Sequence, residues 1–558
     1  MRGRAQAGYA YSPSPAAAPD LGPSPALVHG TIVPALRALL DEKRLDDEVR
    51  SSALLALARI GEPDDSSLGS SELAELFAQH LGSHHRGVTE NACIALGVLG
   101  HPSSVPILAA VLGDTERGRK LSRHREVPDH LRAYAAYGLG LTGQYAGKVD
   151  VRRFAVQSLL AALDERVAKP DLRVAAVIAL GMVPPGAGGD SATSSNDVLV
   201  ERLLELFEDD REHDQVRAHA ATSLAWLFEG GSAGSREAVA KSLLSALDER
   251  SNEPNAVRQS AALALGRVGD ADEDALDGRI RAALVKASGK GDETARRYAL
   301  IALGRIAGRE GDGRGDPLAG VGEVRKALLR SLAKGKASLR PWAALALGVL
   351  GHEARADGRP LPGSDLAALR SALDDAKVAD TSAALQLGVA LCGDAQAEEA
   401  LLDELAEGSL AQRAFTSLAL GVLGAKEAVE PLHEVLWESK HDPHAMKEAT
   451  IALKLLGDAQ LVPELIAIAG SCQCTLSQTV VATAMGHTGD ARVVPTLLAM
   501  LDDEKAQSRK RAWAAYALGL VADKEPQPWT SRISIDLNYR ANPTSLTAGN
   551  GAGILDFP

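Results

Sequence analysis

The stretch RQSAALALGRVG at 258–269 decides the fold. Apolar residues fall at i, i+3, i+4 and i+7, which is the helical period. Small residues flank Leu263 and Leu265, and a Gly ends the run. The same string recurs as ENACIALGVLG (90–100), RPWAALALGVLG (340–351) and RAFTSLALGVLG (413–424). Anchoring on the residue after the Leu265 position, which is Met485 in one copy, gives Ala58, Gly97, Gly140, Gly181, Ala225, Gly266, Gly304, Gly348, Gly388, Gly421, Lys454, Gly486 and Gly519. The spacings are 39, 43, 41, 44, 41, 38, 44 and 40, then 33, 33, 32 and 33. Each anchor helix (B) follows another amphipathic segment (A), such as SVPILAAVLGD at 104–114 or VVPTLLAMLDDE at 493–504. Prolines early in helix A, as at Pro106 and Pro495, suit a helix start.

One such pair cannot bury both its faces, whereas stacked pairs build one continuous core. The predicted class is therefore all-α, an α-solenoid of thirteen helix pairs over 31–523. Residues 1–30 are Ala- and Pro-rich and read as a flexible segment. Residues 524–558 break the pattern and read as a tail or a cap over the last pair.

The unit VPxLxxxLxD…VRxxAAxALGxLG resembles a HEAT repeat. The 32–33-residue period of the last four units is similar to the short bacterial type found in phycobilisome-lyase-like HEAT proteins. That resemblance implies a scaffold or adaptor. It leaves open a lyase acting on a bilin or a modified protein, although no chromophore cleft is marked in the residues.

Composition narrows function. The 558 residues carry 60 Lys+Arg against 73 Asp+Glu, a net charge of −13, and only 3% are aromatic. Phosphate neutralisation needs excess Lys and Arg, and single-strand binders need stacking aromatics. A general nucleic-acid binder is thus disfavoured. Four Cys exclude a disulfide framework. No apolar run reaches the roughly 20 residues of a membrane helix. No phosphate-binding loop, nucleophile elbow or zincin motif is present. The chain is accordingly read as no enzyme. Its start, with Ala5-Gln6-Ala7 after a basic flank, is like the end of a secretory signal lacking its apolar stretch. A cytoplasmic location is the default, with export open.

The most regular polar feature is an Arg eight residues before the anchor. It occurs at Arg50, Arg132, Arg173, Arg217, Arg258, Arg296, Arg340, Arg413 and Arg511. One reading is a ladder to the Asp residues and carbonyls that end helix A, because a guanidinium forks onto such acceptors. The other is a binding row formed by Arg132, Arg173, Arg217, Arg258, Arg296 and Arg340, for a protein or, as in some HEAT-like DNA glycosylases, for nucleic acid. Beyond the repeats, Trp529 and Tyr539 supply aromatic anchors of the kind interfaces use. A basic stretch, ERGRKLSRHR at 116–125, reads as a loop that is either solvated or contacts an acidic partner. His80, His84 and His85 form a surface histidine group. Cys93 and Cys392 lie within B helices as small core residues. His441 and His444 share one A-to-B turn, and Cys472 and Cys474 share the next. Stacking of those turns would bring together two His and two Cys, a donor set that suits zinc. No other cofactor is expected. The expected partner is another protein.

Overall fold

The computed structural model describes residues 21–63, 71–145, 149–165, 168–183, 195–313, 315–472, 474–503 and 507–524. Among them every regular element is a helix. The thirteen B helices are Asp47–Ile60, Arg86–Leu99, Asp129–Tyr145, Pro170–Met182, Asp214–Leu227, Asn255–Val268, Glu293–Gly308, Arg340–Ala356, Ala379–Cys392, Leu410–Leu423, Pro443–Leu455, Thr475–Thr488 and Ser508–Val521. Each is preceded by its A helix. The first A helix begins at Pro25, ahead of the boundary read at residue 31.

Every B helix packs on the B helices before and after it, while A helices pack mainly on their own B helix. The B helices therefore form the inner layer. Their approach is as close as the small residues allow. A Cβ on Gly266 would lie 2.6 Å from Ala302 Cα, and one on Gly421 would lie 2.6 Å from Ala452 Cα. The rule is that each anchor meets the residue two before the next anchor.

That rule corrects one register. Gly348 meets Gly388 itself, as Gly97 meets Gly138. The B helix of pair 9 ends at a left-handed Gly393, as that of pair 10 ends at Gly424. The ninth anchor is therefore Ala390, two residues beyond the one read from the sequence.

The array closes on itself. The B helix of pair 13 packs on that of pair 1. A Cβ on Gly519 would lie 2.6 Å from Ala56 Cα, the same contact in the same register as inside the array. Arg59 Nη1 donates to Asp523 Oδ2 at 2.7 Å, and both side chains are nearly buried. Lys524 Nζ donates to the carbonyls of Ala58 at 3.1 Å, Val98 at 2.5 Å and Leu99 at 3.0 Å, at the C-terminal ends of two successive B helices. A cation there satisfies orphan carbonyls and the negative end of the helix dipole. In the outer layer, the Ala491 amide donates to the Leu21 carbonyl at 2.8 Å. At the roughly 8–10 Å spacing of packed helices, thirteen B helices make a circuit of roughly 100–130 Å. The apolar face of the last pair, for which the sequence suggested the tail as a cover, is covered by the first pair.

Candidate functional site

The Arg row lies where B helices begin, along the edge formed by the A-to-B turns. Arg132 Nε donates to the Leu112 carbonyl at 2.6 Å, and its Nη2 pairs with Glu165 at 2.5 Å. Arg173 bonds the Leu163 carbonyl at 2.6 Å and pairs with Glu212. Arg217 bonds the Phe207 carbonyl at 2.9 Å and pairs with Glu253 at 2.7 Å. Arg413 pairs with Glu438. Arg511 bonds the Leu501 carbonyl at 2.8 Å and pairs with Glu42 at 2.6 Å across the closure. Arg296 and Arg340 keep the carbonyl half of the pattern, to Ser288 at 3.1 Å and Gly335 at 3.2 Å. Arg258 occupies the same place, half-buried.

Arg132, Arg173, Arg217 and Arg511 thus tie the end of their own A helix to a Glu in the next pair, and Arg413 keeps the carboxylate half alone. The helix-end carbonyls are as read from the sequence. The carboxylate is not the Asp that ends helix A, because the guanidinium reaches past its own turn. Arg132 and Arg217 are 8% and 4% exposed. The paired arginines fasten the ring, whereas Arg258, Arg296 and Arg340 make no ion pair among the described residues. Gln259 and Gln386 are used likewise, on Asp292 at 2.8 Å and on Thr416 Oγ1 at 2.8 Å. The B helices of pairs 3, 4 and 5 are buried along almost their whole length. Trp529 and Tyr539 lie outside the described residues, as do the signal-like start and the rest of the tail after Lys524.

Two of the four zinc-type donors meet. Cys474 Sγ lies 3.8 Å from His441 Nδ1, and Ser477 Oγ lies 2.8 Å from the same nitrogen. Cys474 caps the helix Thr475–Thr488 by accepting from the Ser477 amide. The Ser477 hydroxyl and that amide hold its thiol below the ordinary range. Cys472 is nearly buried beside it. His444 is held apart. It lies on the first turn of its helix, edge-on to Phe415 at 5.0 Å and 3.5 Å from Glu448. Burial pushes the Cys392 thiol up to about 12 and raises Cys93 further, as suits core residues.

One cluster escaped the sequence reading. The insertion 309–320 folds back onto the turn 270–277. The Gly313 amide donates to Asp272 Oδ2 at 2.8 Å, and the Gly320 amide to the Ala271 carbonyl at 2.8 Å. Carboxylate oxygens of Asp270, Asp272 and Asp312 come within 4.8 Å of one another, as do those of Asp272, Asp274 and Asp277. Oxygen donors so placed suit a hard divalent cation. Burial, with Asp270 and Asp272 nearby, pushes Asp277 up to about 6. The signal was the alternation of Asp in GDADEDALDG.

Residues 33–123 match the family model described as HEAT repeats. That segment covers the first helix pairs and resembles HEAT repeats. The later pairs keep the same anchor contact, so the ring is built of one kind of unit throughout. No curated protein matches the chain. Among solved structures, yeast importin-β (Kap95p) is similar at 13% identity, over 89% of this chain and 77% of that one, with a TM-score of 0.40. YibA of E. coli is 18% identical over 58% of this chain and 97% of its own, with a TM-score of 0.33. Human deoxyhypusine hydroxylase is 19% identical over 57% and 95%, with a TM-score of 0.22. Among the described residues, no helix of this ring is long and apolar enough to cross a membrane.

Proposed function

We propose that this HEAT-repeat ring is a non-catalytic scaffold that binds another protein along the edge formed by its A-to-B turns. The observation that carries this reading is the closure of the ring through its own repeat contact. Closure engages the end faces of the array, the paired arginines and the inner glutamines in the frame itself. What stays exposed and polar is the outer layer and the turns, and exposed turns on a rigid scaffold are where binding residues collect. Nucleic-acid binding through the Arg row has less support, because Arg132, Arg173 and Arg217 are already neutralised by carboxylates of the next pair.

Affinity purification of the intact protein from its native cells, with crosslinking mass spectrometry, tests the proposal. Crosslinks to a partner should concentrate in the A-to-B turns. Partner crosslinks confined to the outer helices, or a ring recovered with a covalently attached chromophore, would overturn it.

A further inference from the structure

We propose that the A-to-B edge of pairs 2 and 3 is a docking surface for an acidic segment of a partner protein, centred on Arg117, Arg123 and Arg125. This rests on the scaffold reading above and adds the place and the chemistry.

The stretch 116–125 is not a loop. Glu116–Ser122 is an α-helix inserted between the A and B helices of pair 3, where among the described residues the other pairs have at most a single 3-10 turn, as at Glu249–Ser251 and Ser439–His441. It is tightly seated. A Cβ on Gly118 would lie 2.1 Å from the Ala110 carbonyl oxygen, so only Gly fits. Thr115 caps the helix by accepting from the Gly118 amide at 3.2 Å, while its hydroxyl donates to the Ala110 carbonyl at 3.1 Å. The helix ends at Arg123, which sits in the left-handed region at φ 56 and ψ 30. A long side chain rarely adopts that conformation, and the surroundings must hold it there. The stem of Arg123 lies on Gly82 of pair 2, where an added Cβ would come within 2.9 Å of Arg123 Cδ and Cγ. The insertion is thus locked to two pairs and presents its cations from a fixed backbone.

The charges of this surface divide cleanly. Arg119 pairs with Asp114 at 2.6 Å, Lys120 with Glu116 at 2.7 Å, and Arg86 with Glu90 at 2.6 Å. Glu126 is exposed at one border. Arg117, Arg123 and Arg125 are exposed and make no ion pair among the described residues, and the exposed His84 and His85 lie in the adjoining turn. Parts of the same edge are acidic, as at Asp209, Asp210 and Asp214 of pair 5 and Asp374 and Asp375 of pair 9, while the turn of pair 8 carries the exposed Lys334, Lys336 and Arg340 with no inserted helix. A local positive field on a chain of net charge −13 steers an acidic segment toward it, and the locked insertion gives that field a fixed geometry. A long nucleic acid would run onto the acidic parts of the edge, and the patch has no aromatic ring for base stacking.

The test uses the full chain and a fluorescein-labelled decapeptide of alternating Asp and Glu, read by fluorescence anisotropy. The peptide should bind, more weakly as salt rises. The triple variant Arg117→Glu, Arg123→Glu, Arg125→Glu should weaken binding by about tenfold or more, with an unchanged thermal melt. Arg123→Gly removes one guanidinium and relieves the left-handed strain, so it should weaken binding while the melt stays or rises. Unchanged peptide affinity in the folded triple variant would overturn the proposal. So would a DNA duplex that binds the native ring as tightly as the peptide. A triple variant that still captures the native partner sinks this surface and leaves the scaffold reading standing. A native ring that captures no partner removes the scaffold reading, whatever the peptide does.

Discussion

At the residue scale the ring depends on positions with no room. A Cβ on Gly348 would sit 3.0 Å from Gly388 Cα. Gly348→Leu must push two backbones apart, and such overpacking costs about 1–3 kcal/mol. Chemical denaturation should show that loss, with hydrogen exchange rising first in pairs 8 and 9. Cysteine reactivity should divide by setting. Cys474 is exposed with a depressed thiol, whereas Cys93 and Cys392 are buried with raised ones. Brief alkylation of the native ring, followed by peptide mass spectrometry, should therefore label Cys474 and spare Cys93 and Cys392. Asp277 carries a pH signature. Folded, it holds its proton up to about pH 6; unfolded, it releases it near about 4. Folding therefore takes up a proton between those values, and the turn gains stability as pH falls through that window. At pH 8 the ionised group is a cost. Asp277→Asn should raise the melting temperature at pH 8, with the gain gone by pH 4. A gain that persists at pH 4 would show that ionisation is not the cause.

At the element scale, the sequence is legible wherever the cause is local. The period and the Gly stops marked the helix pairs, since both act within a few residues. The zinc-type quartet was legible only in part. Stacking did bring the turns of pairs 11 and 12 side by side, so His441 reaches Cys474. His444 falls on the first helical turn instead, where Phe415 and Glu448 take its ring. The ninth anchor was misplaced because LQLG and VALCG both fit the pattern in one helix. Only the neighbouring helix distinguishes them. The inserted helix of pair 3 was read as a loop because Gly118 weakens any helix. The structure shows why a Gly is there, since the Ala110 carbonyl occupies the space of a side chain. The Arg ladder shows the same limit, because its carboxylates sit 33 residues away for Arg132 and 39 for Arg173.

At the scale of the whole molecule, closure is invisible in any one repeat. It results from a small rotation per pair that thirteen pairs sum to a full turn. It also changes how the array fails. An open solenoid is held by nearest-neighbour contacts and frays from its ends. A ring has no ends, so pairs 1 and 13 should exchange their amide hydrogens as slowly as pairs 6 and 7. Breaking any one contact should convert the ring to an open solenoid and create two ends at the break. Gly519→Leu forces the contact with Ala56, and Gly266→Leu forces the equivalent one with Ala302. Each carries the overpacking cost of about 1–3 kcal/mol. Combining Gly519→Leu with Asp523→Ala also breaks the nearly buried Arg59–Asp523 ion pair, at a further cost of about 3–5 kcal/mol. In small-angle X-ray scattering the double variant should show a larger radius of gyration than the native ring, with helical content kept. Fast exchange should then appear in pairs 1 and 13, whereas in Gly266→Leu it should appear in pairs 6 and 7. If the double variant keeps both the native radius and slow exchange in pairs 1 and 13, the seam is not held by these contacts. If pairs 1 and 13 already exchange fast in the native protein, the ring is open in solution.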